Sequence, residues 1–413
     1  MRLGPPVDRA PVRPRVSSEA ATMRTQVGIV GAGPAGLLLS LMLQRRGIAC
    51  IILESRARET IEAAVRAGIL EQSTVDLLQD LAVADRLRRE AVIHEGTILR
   101  FAGRNHRIDF KTLTGGRVAT LYPQQEVLKD LIAACLGRGG QILFEAKATS
   151  VDGVESARPV IRFVDPQGQA RELHCDVVVG ADGSYGVCRS AIPFDRRKDY
   201  LRIYPFGWFG ILCEAPPSSA ELIYARHTRG FALISSRTPQ VQRMYFQCHP
   251  DDQIDNWPDD RIWWELQARL SGDDGFRLKE GRITQKSIVP MRSYVCEPMQ
   301  YGRLYLAGDA AHAVPPTGAK GLNLAASDVW HLDRALGTFF ALGSTAPLEA
   351  YSSSALRRVW RAQHFSWWMT SMLHKFPEAE EFDERRQLAE LEFVCSTEAA
   401  TALANTYVGQ PFG

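Results

Sequence analysis

The sequence predicts an α/β protein: a Rossmann-like dinucleotide-binding domain, discontinuous along the chain, with an inserted β-sheet domain and a C-terminal helical region. Three segments predict it, Thr25–Glu54, Cys175–Arg189 and Arg303–Asp328, each a short apolar strand running into glycines. In the first, the strand Val27–Val30 meets Gly31-Ala32-Gly33-Pro34-Ala35-Gly36, then an apolar helix from Leu37 and a second strand, Ala49–Leu53, ending in Glu54. This is a GxGxxG βαβ unit: Gly31 serves the tight turn, Gly33 the approach of a pyrophosphate, and Gly36 the helix–strand packing. An acid about 20 residues on, here Glu54, suits a ribose hydroxyl. In the second, Val177–Val179 leads to Gly180-Ala181-Asp182-Gly183 with Arg189 beyond; alone, this also fits an ordinary glycine turn. In the third, Leu304–Ala307 ends in Gly308-Asp309, and a Pro-Pro turn and two more glycines precede a helix opening near Asn323. Bare backbone and a carboxylate at a helix N-terminus suit a bulky anionic ligand.

These segments set the organisation. Residues 1–22, rich in proline and arginine without an apolar run, read as a disordered extension rather than a secretory signal, with folded sequence expected from Met23. The nucleotide-binding domain is expected over 23–197 and 290–345, interrupted by a strand-rich insert at 198–289 and followed by helices over 346–413. The 413 residues, 45% of them hydrophobic, allow two or three domains with a sizeable core. A net charge of +2 gives no general reason to expect nucleic-acid or membrane partners. The eight cysteines form no CxxC pair and no metal spacing, so they read as buried thiols of a cytoplasmic protein, and no apolar run reaches a membrane span. The aromatic stretch Trp360–Phe376 fits a membrane-surface helix or, better given Arg361, His364, His374 and Lys375 within it, internal or intersubunit packing.

The insert is where a substrate should be read. Phe231–Arg237 and Gln242–Cys248 form a hairpin around Thr238-Pro239-Gln240. Residues two apart share a strand face, so Ser235 goes with Arg237, and Arg243 with Tyr245. If the faces match, two guanidiniums, a hydroxyl and a phenol converge, a constellation suited to a carboxylate. Spacing alone fits a solvated face equally well.

Together the three glycine segments resemble those of the FAD-dependent aromatic hydroxylases, the single-component class A flavoprotein monooxygenases. Within that family the likeness is to members acting on hydroxylated benzoates. It is carried by Arg66–Glu71 (RAGILE), His94-Glu95-Gly96, Tyr204–Phe209 (YPFGWF) and Glu221–Phe231 (ELIYARHTRGF), then by Val314–Asp328, Ser366–Ser371 (SWWMTS) and Asn405–Gly409 (NTYVG). It runs from about Thr25 to about Pro411. The resemblance implies a glutathione-reductase-type FAD domain and hydroxylation of 4-hydroxybenzoate at C3 through a flavin C4a-hydroperoxide, with NADPH or NADH and O2 as co-substrates and a homodimer as the working form. It implies that Ser235, Arg237 and Tyr245 hold the carboxylate and Arg243 assists flavin reduction. Tyr224 receives the phenol's hydrogen bond, Tyr407 and His94 extend a proton relay, and the Pro316 carbonyl faces the ring. Arg66, Gln124, Asp182, Asp309, Gly318, Leu322 and Asn323 join Gly31, Gly33, Ala35, Gly36 and Glu54 around FAD, and Arg56, Arg189 and Arg292 meet the nicotinamide coenzyme. Read without the resemblance, His94 fits a surface histidine, Tyr224 and Tyr407 fit core tyrosines, and Arg66 and Arg292 fit surface arginines.

The departures concern the coenzyme. Ser55 and Thr60 stand where NADPH-specific relatives carry arginine and tyrosine, Tyr185 where a coenzyme-binding histidine is expected, and Ala64 where an arginine is. NADH is therefore expected to serve appreciably, although Arg56 and Arg58 remain near a 2′-phosphate. The residues leave open the same chemistry on 4-aminobenzoate, 3-hydroxybenzoate or 3,4-dihydroxybenzoate, and a flavoprotein that only oxidises NAD(P)H or senses aromatic acids.

Overall fold

The computed structural model describes residues 23–64 and 68–413; the expected extension 1–22 and Arg66 lie outside the described residues. The fold is the α/β one that the sequence predicts. A six-stranded sheet has the order Gln300–Tyr301, Leu304–Leu306, Val177–Gly180, Val27–Val30, Cys50–Leu53, Gln141–Leu143. All its neighbours are parallel except the first pair. Its three central strands are the three that the glycine segments marked, so their C-terminal ends, and the loops after them, converge at one edge. Val27, Ile29, Val177, Val178, Val179, Leu304 and Leu306 have no exposed surface, as expected of parallel strands covered on both faces.

An eight-stranded sheet stands beside it. Its order is His312–Ala313, Arg282–Glu297, Lys198–Glu214, Val241–Cys248, Gly230–Thr238, Ile223–His227, Gly96–Phe101, Arg104–Asp109. It therefore draws strands from both sides of the insert: Gly96–Asp109 precedes residue 198, and Arg282–Glu297 runs past residue 290. Helix Tyr351–Leu373 lies against this sheet and against helix Gly321–Leu342, burying twelve of its residues, Phe365, Met369 and Met372 among them. Of the stretch Trp360–Phe376, the part up to Leu373 is helical and packs one face inside the protein while Trp360 and Trp367 stay exposed; no helix among the described residues is long and apolar enough to cross a membrane. The cysteines are free thiols, six of them buried and Cys50 and Cys395 partly so.

Candidate active site

The GxGxxG turn fits a dinucleotide by what it leaves open. Gly31 has φ +103°, and a Cβ there would lie 2.3 Å from the Ala181 carbonyl oxygen. Gly33, by contrast, faces open space. Helix Pro34–Arg45 begins there without a side-chain cap, with Ala35 and Gly36 buried in its first turn, so its first N–H groups await an anion. Glu54, 3% exposed, accepts the Ala32 N–H at 2.9 Å and the Arg56 N–H at 3.0 Å. It also pairs with the Arg56 guanidinium at 3.1 Å, holding that half-exposed side chain beside the strand end.

A second uncapped helix start lies close by, since a Cβ on Gly308 would meet Ala325 at 3.3 Å and Ala35 at 3.5 Å. Helix Gly321–Leu342 starts two residues before the expected Asn323, again without a side-chain cap, preceded by the turn Pro316–Gly318 and by Ala319 with φ +53°. The Asn323 side chain is spoken for: its oxygen accepts from Glu71 N at 2.9 Å and Thr74 Oγ1 at 2.8 Å, and its amide donates to Ile69 O and Ala319 O. What Leu322 and Asn323 can offer a ligand is backbone N–H. The loop at Gly308-Asp309 is fixed by Asp328, which accepts Gly308 N–H at 2.9 Å and pairs with His312 at 2.6 Å. Asp182 turns inward, accepting the Cys188 N–H at 2.9 Å, and burial raises its carboxyl pKa. Gln124 opens helix Gln124–Gly137. Arg189 donates to the carbonyls of Ser184 and Ala310 and lies 4.4 Å over the Tyr294 ring; Arg292 lies 4.9 Å over the exposed Tyr185 ring.

In the hairpin, Ser235 pairs with Arg243 and Leu233 with Tyr245, so Ser235, Arg243 and Tyr245 share one face. Arg237 falls at a register shift between Ser236 and Thr238, a bulge that re-aims its side chain. Burial and then the Arg243 charge push its pKa down to about 10, with Tyr245 opposing. Arg243 is itself buried, 4.9 Å over the Tyr245 ring. Ser235 donates its hydroxyl to the Arg243 carbonyl at 3.0 Å, which leaves its oxygen as an acceptor only.

Tyr224 and Tyr407, 1% and 2% exposed, share a hydrogen bond of 2.8 Å between their hydroxyls. Burial pushes the Tyr224 phenol up to about 12, the bond to Tyr407 opposing. His94 ends the strand Val92–His94 at 2% exposure, with no hydrogen bond to either ring nitrogen, and burial lowers its pKa. It is no surface histidine. The Pro316 carbonyl accepts the Ala319 N–H at 3.0 Å.

Sequence reasoning missed a buried charge cluster beneath the tyrosines. Lys320 Nζ lies 2.7 Å from Glu71, which also pairs with Arg358 at 2.7 Å. Lys320 donates further to the carbonyls of Thr406 and Tyr407 and sits 6.0 Å from the Tyr407 ring. The available signal was a lysine in a glycine-rich helix start, together with a glutamate at the end of RAGILE. Both lie inside segments that carried the resemblance, yet neither was singled out.

A family model described as FAD binding domain matches residues 24–366. Over 392 residues the chain is 44% identical to the p-hydroxybenzoate hydroxylase of Acinetobacter baylyi, covering 95% of this chain and 96% of that one. It is 29% identical to 6-methylpretetramide 4-monooxygenase of Streptomyces rimosus, covering 76% and 75%. The crystal structure of p-nitrophenol 4-monooxygenase from Pseudomonas putida superposes with a TM-score of 0.78 at 19% identity, covering 93% of this chain and 97% of that one.

Proposed function

We propose, on the premise that this chain belongs to the FAD-dependent aromatic hydroxylases, that it hydroxylates 4-hydroxybenzoate at C3. The reaction consumes NADH or NADPH, a proton and O2, and yields 3,4-dihydroxybenzoate, the oxidised coenzyme and water. The observation that carries the substrate is the pairing of a buried arginine–tyrosine face with a buried tyrosine–tyrosine hydrogen bond: one end of the site suits a carboxylate, the other a phenol. FAD, held by the two open helix ends, supplies the electrons and the activated oxygen when bound.

The protein's own residues do the rest. Arg237, with Ser235 and Tyr245, holds the carboxylate and so fixes which ring carbon faces the flavin, while Arg243 beside them assists flavin reduction. Tyr224 accepts the substrate's phenolic proton in a hydrogen bond and passes it toward Tyr407, because a phenol of pKa about 10 is mostly protonated at neutral pH and the phenolate is the better nucleophile. The Lys320 ammonium favours negative charge on that pair. His94 is the next acceptor along the path, and the Pro316 carbonyl borders the ring. Gly31, Gly33, Ala35, Gly36, Glu54, Gln124, Asp182, Asp309, Gly318, Leu322 and Asn323 line the flavin's place, and Arg56, Arg189 and Arg292 meet the coenzyme. The chain works in the cytoplasm as a homodimer. The test is FAD-loaded protein in air, with coenzyme oxidation and products followed with and without 4-hydroxybenzoate. Benzoate-dependent oxidation giving 3,4-dihydroxybenzoate is expected; stimulated oxidation giving only peroxide moves the substrate to another aromatic acid.

A further inference from the structure

Helix Tyr351–Leu373 runs between the Pro316 turn and the large sheet; its Thr370 touches the turn, and His374, just past its end, touches the sheet. Thr370 has no exposed surface and donates its hydroxyl to the Ser366 carbonyl at 2.7 Å. A hydroxyl has one hydrogen, so toward Thr317 Oγ1, 2.9 Å away, Thr370 is the acceptor. Thr317, also fully buried, is the middle residue of the Pro316–Gly318 turn. The contact is close: a Cβ on Gly318 would lie 2.8 Å from Ser366 Oγ.

One turn further on, His374 caps the helix, fully buried. Its Nε2 lies 2.7 Å from the indole Nε1 of Trp208. An indole only donates, so that ring nitrogen carries no proton. The proton of the neutral imidazole therefore sits on Nδ1, 3.0 Å from the Thr370 carbonyl. Trp208 belongs to the strand Lys198–Glu214, and its ring is 5.0 Å from that of Tyr245. A continuous run of buried polar contacts thus joins Thr317, Thr370, His374 and Trp208.

We propose that Thr370 and His374 are positioning residues that fix the spacing between the Pro316 turn and the Trp208–Tyr245 wall of the substrate pocket. This rests on the function proposed above, in which the aromatic acid lies between those two walls. Protonation of His374 would set one N–H against the indole N–H and break the run. The surroundings oppose it: Phe206 and Phe231 stack on the ring at 4.7 and 4.4 Å, and the charge facing it is Arg269, paired with Glu265. Burial first, then Arg269, holds the pKa at about 3, against the Thr370 carbonyl.

The test uses FAD-loaded full-length protein with Thr370→Val, which keeps the shape and removes the hydroxyl, and Thr370→Ser, which keeps the hydroxyl. The dissociation constant of 4-hydroxybenzoate, read from flavin absorbance, does not depend on hydroxylation. It is expected to rise about tenfold in the valine variant and to return close to wild type in the serine variant, with FAD binding unchanged. In the same variants the share of coenzyme oxidation that ends in 3,4-dihydroxybenzoate should follow that pattern. A valine variant that binds like wild type, or a serine variant as impaired as valine, overturns the proposal. Nitrogen-15 NMR gives an independent reading: His374 should be neutral and protonated on Nδ1 throughout the neutral range, and titration there overturns the geometry. Variants that show the binding pattern, beside a wild type that shows the NMR signature but makes no hydroxylated product, refute the function instead.

Discussion

Arg237→Met puts the carboxylate clamp to a quantitative test. Burial, then the like charge of Arg243, pulls the Arg237 pKa from 12.5 to about 10. At about 1.36 kcal/mol per pKa unit, the ligand-free pocket holds this charge at a cost of ~2–3 kcal/mol, the lower figure allowing for residual solvent screening. The sign follows from a depressed base: below pH 10 the guanidinium is charged in both folded and unfolded chains, so the folded state bears the whole cost at working pH. A bound carboxylate offsets it. Methionine keeps much of the volume and removes the charge. The KM for 4-hydroxybenzoate should therefore rise by ~30- to 150-fold, the equivalent of 2–3 kcal/mol. FAD content should stay at wild type. The melting-temperature increase that 4-hydroxybenzoate gives wild type should vanish. Steady-state kinetics and thermal melts with and without the benzoate read all of this. A KM unchanged within experimental error would refute the reasoning.

Three further outcomes are expected. Tyr224→Phe keeps the ring and deletes the hydroxyl 2.8 Å from Tyr407; kcat should drop by about 10²- to 10⁴-fold with little change in KM, and an unchanged kcat removes the relay. Because Ser55 and Thr60 replace the larger residues expected near a 2′-phosphate, kcat/KM with NADPH should exceed that with NADH by less than about tenfold, or ~1.4 kcal/mol; a larger preference overturns that reading. His374 titrates near 6.5 when unfolded and near 3 when folded, so its contribution to stability is present above pH 6.5 and is lost as pH falls toward 3. Between pH 7.5 and pH 5 wild type should lose about 2 kcal/mol more than His374→Gln in denaturant melts; equal losses would show that His374 is not held neutral.

What could be read along the chain is what a short run of backbone dictates. The GxGxxG turn is legible because Gly31 sits at φ +103° against the Ala181 carbonyl, where no side chain fits. The hairpin at Pro239-Gln240 is legible because period-2 alternation and a turn lie within one short segment. The family likeness extended this to the residues of the pocket, and the structure brings Ser235, Arg243 and Tyr245 onto one face as alternation requires. Partnerships among distant buried polar groups came from the packed fold. Lys320 meets Glu71 across 249 residues, and Trp208 sets the tautomer of His374 from 166 residues away. It also decided that the Asn323 side chain is saturated by protein and that Arg237 stands at a bulge rather than in plain alternation. The physical reason is that φ preferences and side-chain period are local properties of the chain. A buried hydrogen bond, by contrast, depends on how distant elements pack, and a buried group left without one costs about 1–3 kcal/mol.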